Sequence, residues 1–286
     1  MRFDRRALNE EASFRAAETR HNAGLNFDQP ICIYDLCASL DIIVRFNNIS
    51  MEGMYDRLPR PRIHLSARRP LGRRAFNCAH ELGHHLFGHG SAIDELRQRG
   101  LEPTYADPKE YVADTFAGHL LMPVLGIGHA FTQRGLSPST VTRAQLFAVA
   151  CHFGVGYAAL VTHLVYALRE MSKERLNEVG KPLERIRREI LGYPESSRLM
   201  IVDEHWCSPT LDIEVGTLLL LPNGSVVLGD VVTAEYNLLG HCLFRGAKSG
   251  TTRAILPNGP TVTLRVSPYQ FVGLAKYRHF SNSNEE

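Results

Sequence analysis

The sequence has no Cys-x-x-Cys pair, a single tryptophan, little net charge and no long apolar run. Each absence narrows the field. The six cysteines, at 32, 37, 78, 151, 207 and 242, are scattered among apolar neighbours. That distribution predicts buried free thiols in a reducing cytoplasm, not a disulfide framework. No apolar stretch approaches the roughly 18 residues of a spanning helix, so no membrane partner is expected. Met1 to Arg6 leads into a polar amphipathic stretch and not an apolar signal core. A net charge of +2 makes no global case for binding nucleic acid, leaving only local patches. What is present is ordinary for a soluble globular protein: 44% hydrophobic and 22% charged residues over 286 positions, enough for two domains.

The chain is organised around Asn77-Cys78-Ala79-His80-Glu81-Leu82-Gly83-His84-His85-Leu86, which contains His-Glu-x-x-His. On a helix, His80 and His84 sit about 40° apart around the axis and one turn apart along it, so both imidazoles can reach one metal ion. Glu81 lies about 100° from His80, off the ligand line but near a water in an open coordination position. Zinc would acidify such a water and a carboxylate would deprotonate it, giving a peptide-cleaving nucleophile. Five residues alone recur by chance, but the small and apolar Ala79, Leu82, Gly83 and Leu86 predict a buried helix whose polar residues face a cleft. His85 and His89 form a second pair on another face, with His89 about 180° from His80, and read as structural or solvent-facing.

Zinc needs a third protein ligand. The stretch Lys109 to Met122 has helical spacing and stops at Pro123, with Glu110 and Asp114 on one face beside Ala113 and Ala117. Glu110 is the candidate ligand. Asp114 is placed to accept a hydrogen bond from the far nitrogen of a ligand histidine. Asp107-Pro108 reads as the start of this helix.

His80-Glu81-Leu82-Gly83-His84, the preceding Arg74 to Ala79, and the later Glu110-x-x-Ala113-Asp114-x-Phe116-Ala117-x-x-Leu120-Leu121-Met122-Pro123 together resemble the ImmA/IrrE family of bacterial metallopeptidases. Ile33 to Val44 and Ala150 to Val155 extend the resemblance to about residues 15–170. It implies a zincin-type fold with His80, His84 and Glu110 as Zn2+ ligands and Glu81 as general base. It also implies a substrate class, because the better-understood members of that family cleave a helix-turn-helix repressor and so release the genes it silences.

The fold class expected is α+β, with a zincin-like metallopeptidase core at 1–136, a helical extension and connector at 137–198, and a β-rich domain at 199–286. Helices are predicted over 4–23, 30–40, 137–152 and 157–171, and strands over 42–46, 53–55 and 62–66. In the zincin-type fold that the resemblance implies, the strand Arg62-Ile63-His64-Leu65-Ser66 before the motif helix would edge the active-site cleft and could pair with an extended substrate. Arg57, Arg60, Arg62, Arg68, Arg69, Arg73 and Arg74 crowd the same region. They form either a solvated basic loop or a surface that steers an acidic substrate or touches DNA phosphate. Helices 137–152 and 157–171 are joined by a short glycine-containing turn, but Ala158 to Leu168 is almost wholly apolar, which favours packing over DNA reading. From Leu199 onward short apolar runs alternate with turn residues, and Pro-Asn-Gly recurs at 222–224 and 257–259, which reads as two hairpins. Trp206 is read as a domain-interface anchor as readily as part of a site.

The first reading is a cytoplasmic zinc endopeptidase acting on a separately encoded helix-turn-helix repressor, with derepression of stress or mobile-element genes as the outcome. Tyr105, Tyr111 and His119 are unranked candidates for the oxyanion donor. The alternatives are a regulatory module with a structural or vestigial zinc site that docks to a repressor or to DNA, and a phage-defence or toxin-like protease of broader range. Glu81→Gln separates an enzyme from a docking module.

Overall fold

The computed structural model describes residues 3–90, 92–94, 107–238, 240–257 and 261–280. The fold is α+β. The chain starts with α1 (Arg5–Asn22), capped by Asp4, whose carboxylate accepts from the Arg6 and Ala7 amides. It continues through α2 (Ile33–Ser39), β1 (Ile43–Asn47), β2 (Gly53–Asp56) and β3 (Arg62–Ser66) to the motif helix α3 (Leu71–Leu86) and the short β4 (Ala92–Asp94). Next comes α4 (Pro108–Leu121), with Asp107 accepting from the Lys109 amide and Pro108 in its first turn.

Pro123 ends one helix and starts another. The sequence reading stopped there, yet α5 (Val124–Gln133) follows at once, with Pro123 as its N-cap and Ile127, Ala130 and Phe131 buried. The next helix, α6 (Arg143–His152), begins later than the predicted residue 137. Ser137 O accepts from the Thr140 and Val141 amides in a turn, and Thr142 and Gln145 then form a capping box. Then come α7 (Tyr157–Thr162), a π-helical turn (His163–Ala167), α8 (Lys173–Val179) and α9 (Leu183–Leu191). Leu160, Val161, Leu164 and Val165 are buried, so α7 and the turn after it spend their apolar face in the core. No single helix among the described residues is long and apolar enough to cross a membrane.

The remaining strands are β5 (Leu199–Ile201), β6 (Thr210–Glu214), β7 (Leu218–Pro222), β8 (Val226–Val227), β9 (Val232–Leu238), β10 (His241–Gly246), β11 (Gly250–Ile255), β12 (Thr261–Ser267) and β13 (Gly273–Leu274). They build two four-stranded sheets, β5-β7-β10-β9 and β6-β12-β11-β8. Gly224 has φ +84, the left-handed geometry its turn needs; Asn258 and Gly259 of the second predicted hairpin lie outside the described residues. β7 shows why the halves cohere. Its Leu219 and Leu221 join the core between these sheets, whereas Leu218 and Leu220 face the other way, into the core that also holds Leu82 and Phe116.

The five-stranded sheet runs β13-β1-β3-β2-β4. Its order bears on two expectations. First, β3 is central, parallel to β1 and antiparallel to β2, so Arg62, Ile63, His64 and Leu65 have partners on both sides and no edge to offer a substrate. Second, β13, from the far end of the chain, pairs antiparallel with β1, Phe46 opposite Gly273. The expected boundary at 198/199 therefore has a strand crossing back over it.

Candidate metal centre

Helix α3 lies against α4 with little space between them. A Cβ on Gly83 would stand 3.2 Å from Ala113 Cα and 3.1 Å from Phe116 Cδ1, so glycine and alanine set the approach that brings Glu110 to the histidines. His80, His84 and Glu110 are all buried, and one ligand atom from each falls within 4.8 Å of the others. His80 Nε2 and His84 Nε2 are 3.0 Å apart, with the Glu110 carboxylate 3.5 Å from the first and 3.4 Å from the second.

The donor set fits a divalent ion. Asp114 Oδ1 lies 2.7 Å from His80 Nδ1, which places the proton on Nδ1 and leaves the Nε2 lone pair facing the cluster. His84 Nδ1 lies 3.0 Å from His89 Nδ1; with His89 accepting, the His84 Nε2 lone pair points to the same place. Two lone pairs and a carboxylate converging on one buried point repel one another unless a cation sits between them. Tetrahedral ligands at about 2.05 Å from zinc stand about 3.3 Å apart, close to these separations.

His89 reaches His84 because the helix stops. α3 ends at Leu86, Gly88 takes φ +66, and the His89 amide donates to the His84 carbonyl at 3.0 Å. The expected placement of His89 on the opposite face assumed a helix that continued. Burial, with help from Lys109, holds its pKa below the ordinary histidine value and favours the neutral ring. His85 turns elsewhere, Nδ1 2.6 Å from the Tyr55 hydroxyl.

Glu81 is buried against β2. A Cβ on Gly53 would fall 3.0 Å from its Cδ and closer to Oε1, so only glycine leaves the carboxylate its position. Neighbouring Glu52 ties β2 to α3. Its side chain accepts from Arg73 Nε at 2.8 Å and Asn77 Nδ2 at 2.8 Å, with Arg69 at 3.0 Å, while its carbonyl accepts from Asn77 at 3.1 Å. The sequence reading did not single out Gly53, Glu52 or Asn77. Asn77 is one turn before Glu81, a position that could have drawn notice.

Residues 37–164 match the family model described as the IrrE N-terminal-like domain of the M78 peptidases. The chain carries an IrrE N-terminal-like domain. The match is narrower than the resemblance at 15–170 and leaves α1 and the β-rich half outside it. A comparison with curated proteins gives no match.

Within the IrrE-like domain, most of the arginine cluster is committed. Arg69 and Arg73 pair with Glu52, Arg74 with the buried Glu214, and Arg68 Nε donates to Asn48 at 3.0 Å. The seven-arginine steering surface therefore loses Arg69, Arg73 and Arg74 to ion pairs, while Arg57, Arg60 and Arg68 are exposed. Two of the oxyanion candidates have partners on α1. Tyr111 donates to the Arg5 carbonyl at 3.1 Å, and His119 Nε2 lies 3.1 Å from Asn9 Oδ1, so α1 engages both; Tyr105 lies outside the described residues. All six cysteines are free. Trp206 packs edge-on against His152 of α6, 5.6 Å between ring centroids, joining the β-rich half to the helices.

Proposed function

We propose that the chain is a zinc-dependent endopeptidase. The observation that carries this is the convergence of His80, His84 and Glu110 with Glu81 held on the next residue of the same helix. When bound, zinc supplies Lewis acidity that polarises the scissile carbonyl and acidifies a water. Glu81 is the residue that would take a proton from the attacking water and return it to the leaving amine. Asp114 fixes the His80 tautomer, and His89 does the same for His84. Gly53 leaves Glu81 its room, and the Glu52–Asn77 bridge keeps β2 in register with α3.

An extended peptide needs a free strand edge, and β3 has none. β2 carries Gly53 and is covered by β4, which stands at the end of the sheet among the described residues. The pairing role thus passes from β3 to β4. For the substrate, a separately encoded helix-turn-helix repressor is the class that the IrrE-like domain suggests. The test is to incubate the purified chain with the repressors encoded by neighbouring genes and follow intact mass. A single cleavage in one of them supports the assignment; digestion of unrelated unfolded proteins at the same rate would point to a broad-range protease.

A further inference from the structure

A cavity of about 630 Å³ lies between the IrrE-like domain and the β-rich half. It is open to solvent on one side, and its volume falls in the range of small-molecule sites, roughly 300 to 1,000 Å³. It is not the metal site. None of His80, Glu81, His84 and Glu110 lines it, although Asp114, Asn77 and Arg73, which support that centre, do. Its wall is formed by the first turns of α3, the turn joining α6 to α7, the π-helical turn, the α8–α9 connection and β5. Ala159, Thr162 and Tyr166 line it and are only partly buried, although Leu160, Val161 and Leu164 beside them are core.

The lining chemistry is mainly apolar with an excess of positive charge. Phe76, Leu199, Met200 and Trp206 contribute apolar surface. Arg73, Lys181, Arg187, Arg198 and Arg265 line the cavity against only two carboxylates, Asp114 and Asp212. Three of these cations are paired: Arg73 with Glu52, Arg198 with Glu214, and Arg265 with Asp212. The other two are held mostly by main-chain oxygens. Lys181 donates to the Asn177 carbonyl at 3.3 Å, and Arg187 to the Ser196 and Ser197 carbonyls at 3.3 and 2.9 Å. The ion-pair contact of Arg187, with exposed Glu184, is 3.7 Å long.

We propose that this cavity binds a small apolar monocarboxylate, its chain against Phe76, Leu199 and Trp206 and its carboxylate at Lys181 and Arg187. A carboxylate there gains charge-assisted hydrogen bonds that a neutral head of the same size lacks. Trp206 is the only tryptophan, so its emission reports on the cavity directly.

The test titrates the full chain with decanoate and, separately, with 1-decanol, following Trp206 fluorescence. Decanoate should shift the emission saturably and bind about tenfold or more tightly than the alcohol, the ratio expected of one charge-assisted pair. The double variant Lys181→Gln/Arg187→Gln should bring the acid down to the affinity of the alcohol, and Ala159→Phe should block both. Circular dichroism melts check that each variant is folded; should Ala159→Phe not fold, the double variant decides alone. No saturable response to decanoate, equal affinity for acid and alcohol, or undiminished binding by the folded double variant would each overturn the proposal. None of these readouts involves metal or cleavage, so they stand apart from the peptidase reading.

Discussion

Gly53 and Glu81 fit against one another: a methyl group on residue 53 would overlap the Glu81 carboxylate, 2.9 Å from its Cγ and 3.0 Å from its Cδ. The strand that carries Gly53 is held to the motif helix by Asn77, which donates to both the carbonyl and the side chain of Glu52. A glycine in a strand thereby sets the position of a carboxylate on a helix. Gly53→Ala should leave metal content unchanged while lowering cleavage by about a hundredfold, since displacement of a reacting group by about 1 Å costs that much. Metal analysis beside initial rates of cleavage checks it; full activity would remove Gly53 from the account.

Asp114 acts through His80. Without its carboxylate, the imidazole loses the partner that fixes Nδ1 as donor and Nε2 as ligand. Asp114→Ala should weaken zinc about 10- to 100-fold, the usual effect of deleting such a partner. Competition with a chelating dye measures it, and unchanged affinity would mean that the cluster orients itself.

Glu214 is fully buried and meets Arg74 of the motif helix, Arg198 and the Gln270 amide. Removing one partner from such a set strands buried positive charge. Glu214→Ala should destabilise the fold by about 3–5 kcal/mol, read as a lowered urea midpoint. A midpoint equal to wild type would show that the two arginines find water or other partners.

Burial holds His119 and His152 at about 4 and His163 at about 3, against an ordinary 6.5, with Arg134 adding to the effect on His152 and His119 to that on His163. The folded state therefore resists protons that the unfolded chain accepts below pH 6.5. Stability from these neutral rings is complete above that pH and drains away as pH falls toward 4. For His119 the span of about 2.5 pH units corresponds to roughly 3 kcal/mol. Urea midpoints taken from pH 7 to 4 should fall steeply in wild type and less steeply in His119→Gln; parallel curves would contradict the assignment.

The sequence showed the two helices of the metal centre and the convergence of His80, His84, Glu110 and Asp114, because helical spacing is a local property that residue numbers carry directly, but it missed α5. The order of strands is not local. Nothing in Arg62 to Ser66 says whether β3 is an edge or a centre; that depends on β1 and β2 pairing on its two sides, and the outer edge of β1 is in turn covered by β13, more than two hundred residues later. β6 is hard to read from sequence because Asp212 and Glu214 interrupt its apolar residues, and their charges are met from outside the strand, by Arg265 and Arg278 for Asp212 and by Arg74 and Arg198 for Glu214. His89 was placed by extending the helix past Gly88, where the chain turns. Gly53 is legible only once β2 lies beside Glu81.

The most direct test of the metallopeptidase account measures zinc content and cleavage together in wild type and Glu81→Gln. Expected are about one zinc per chain in both proteins and cleavage by wild type alone. Cleavage by both would take the proton-transfer role from Glu81, and absence of zinc from both would contradict the assignment of His80, His84 and Glu110.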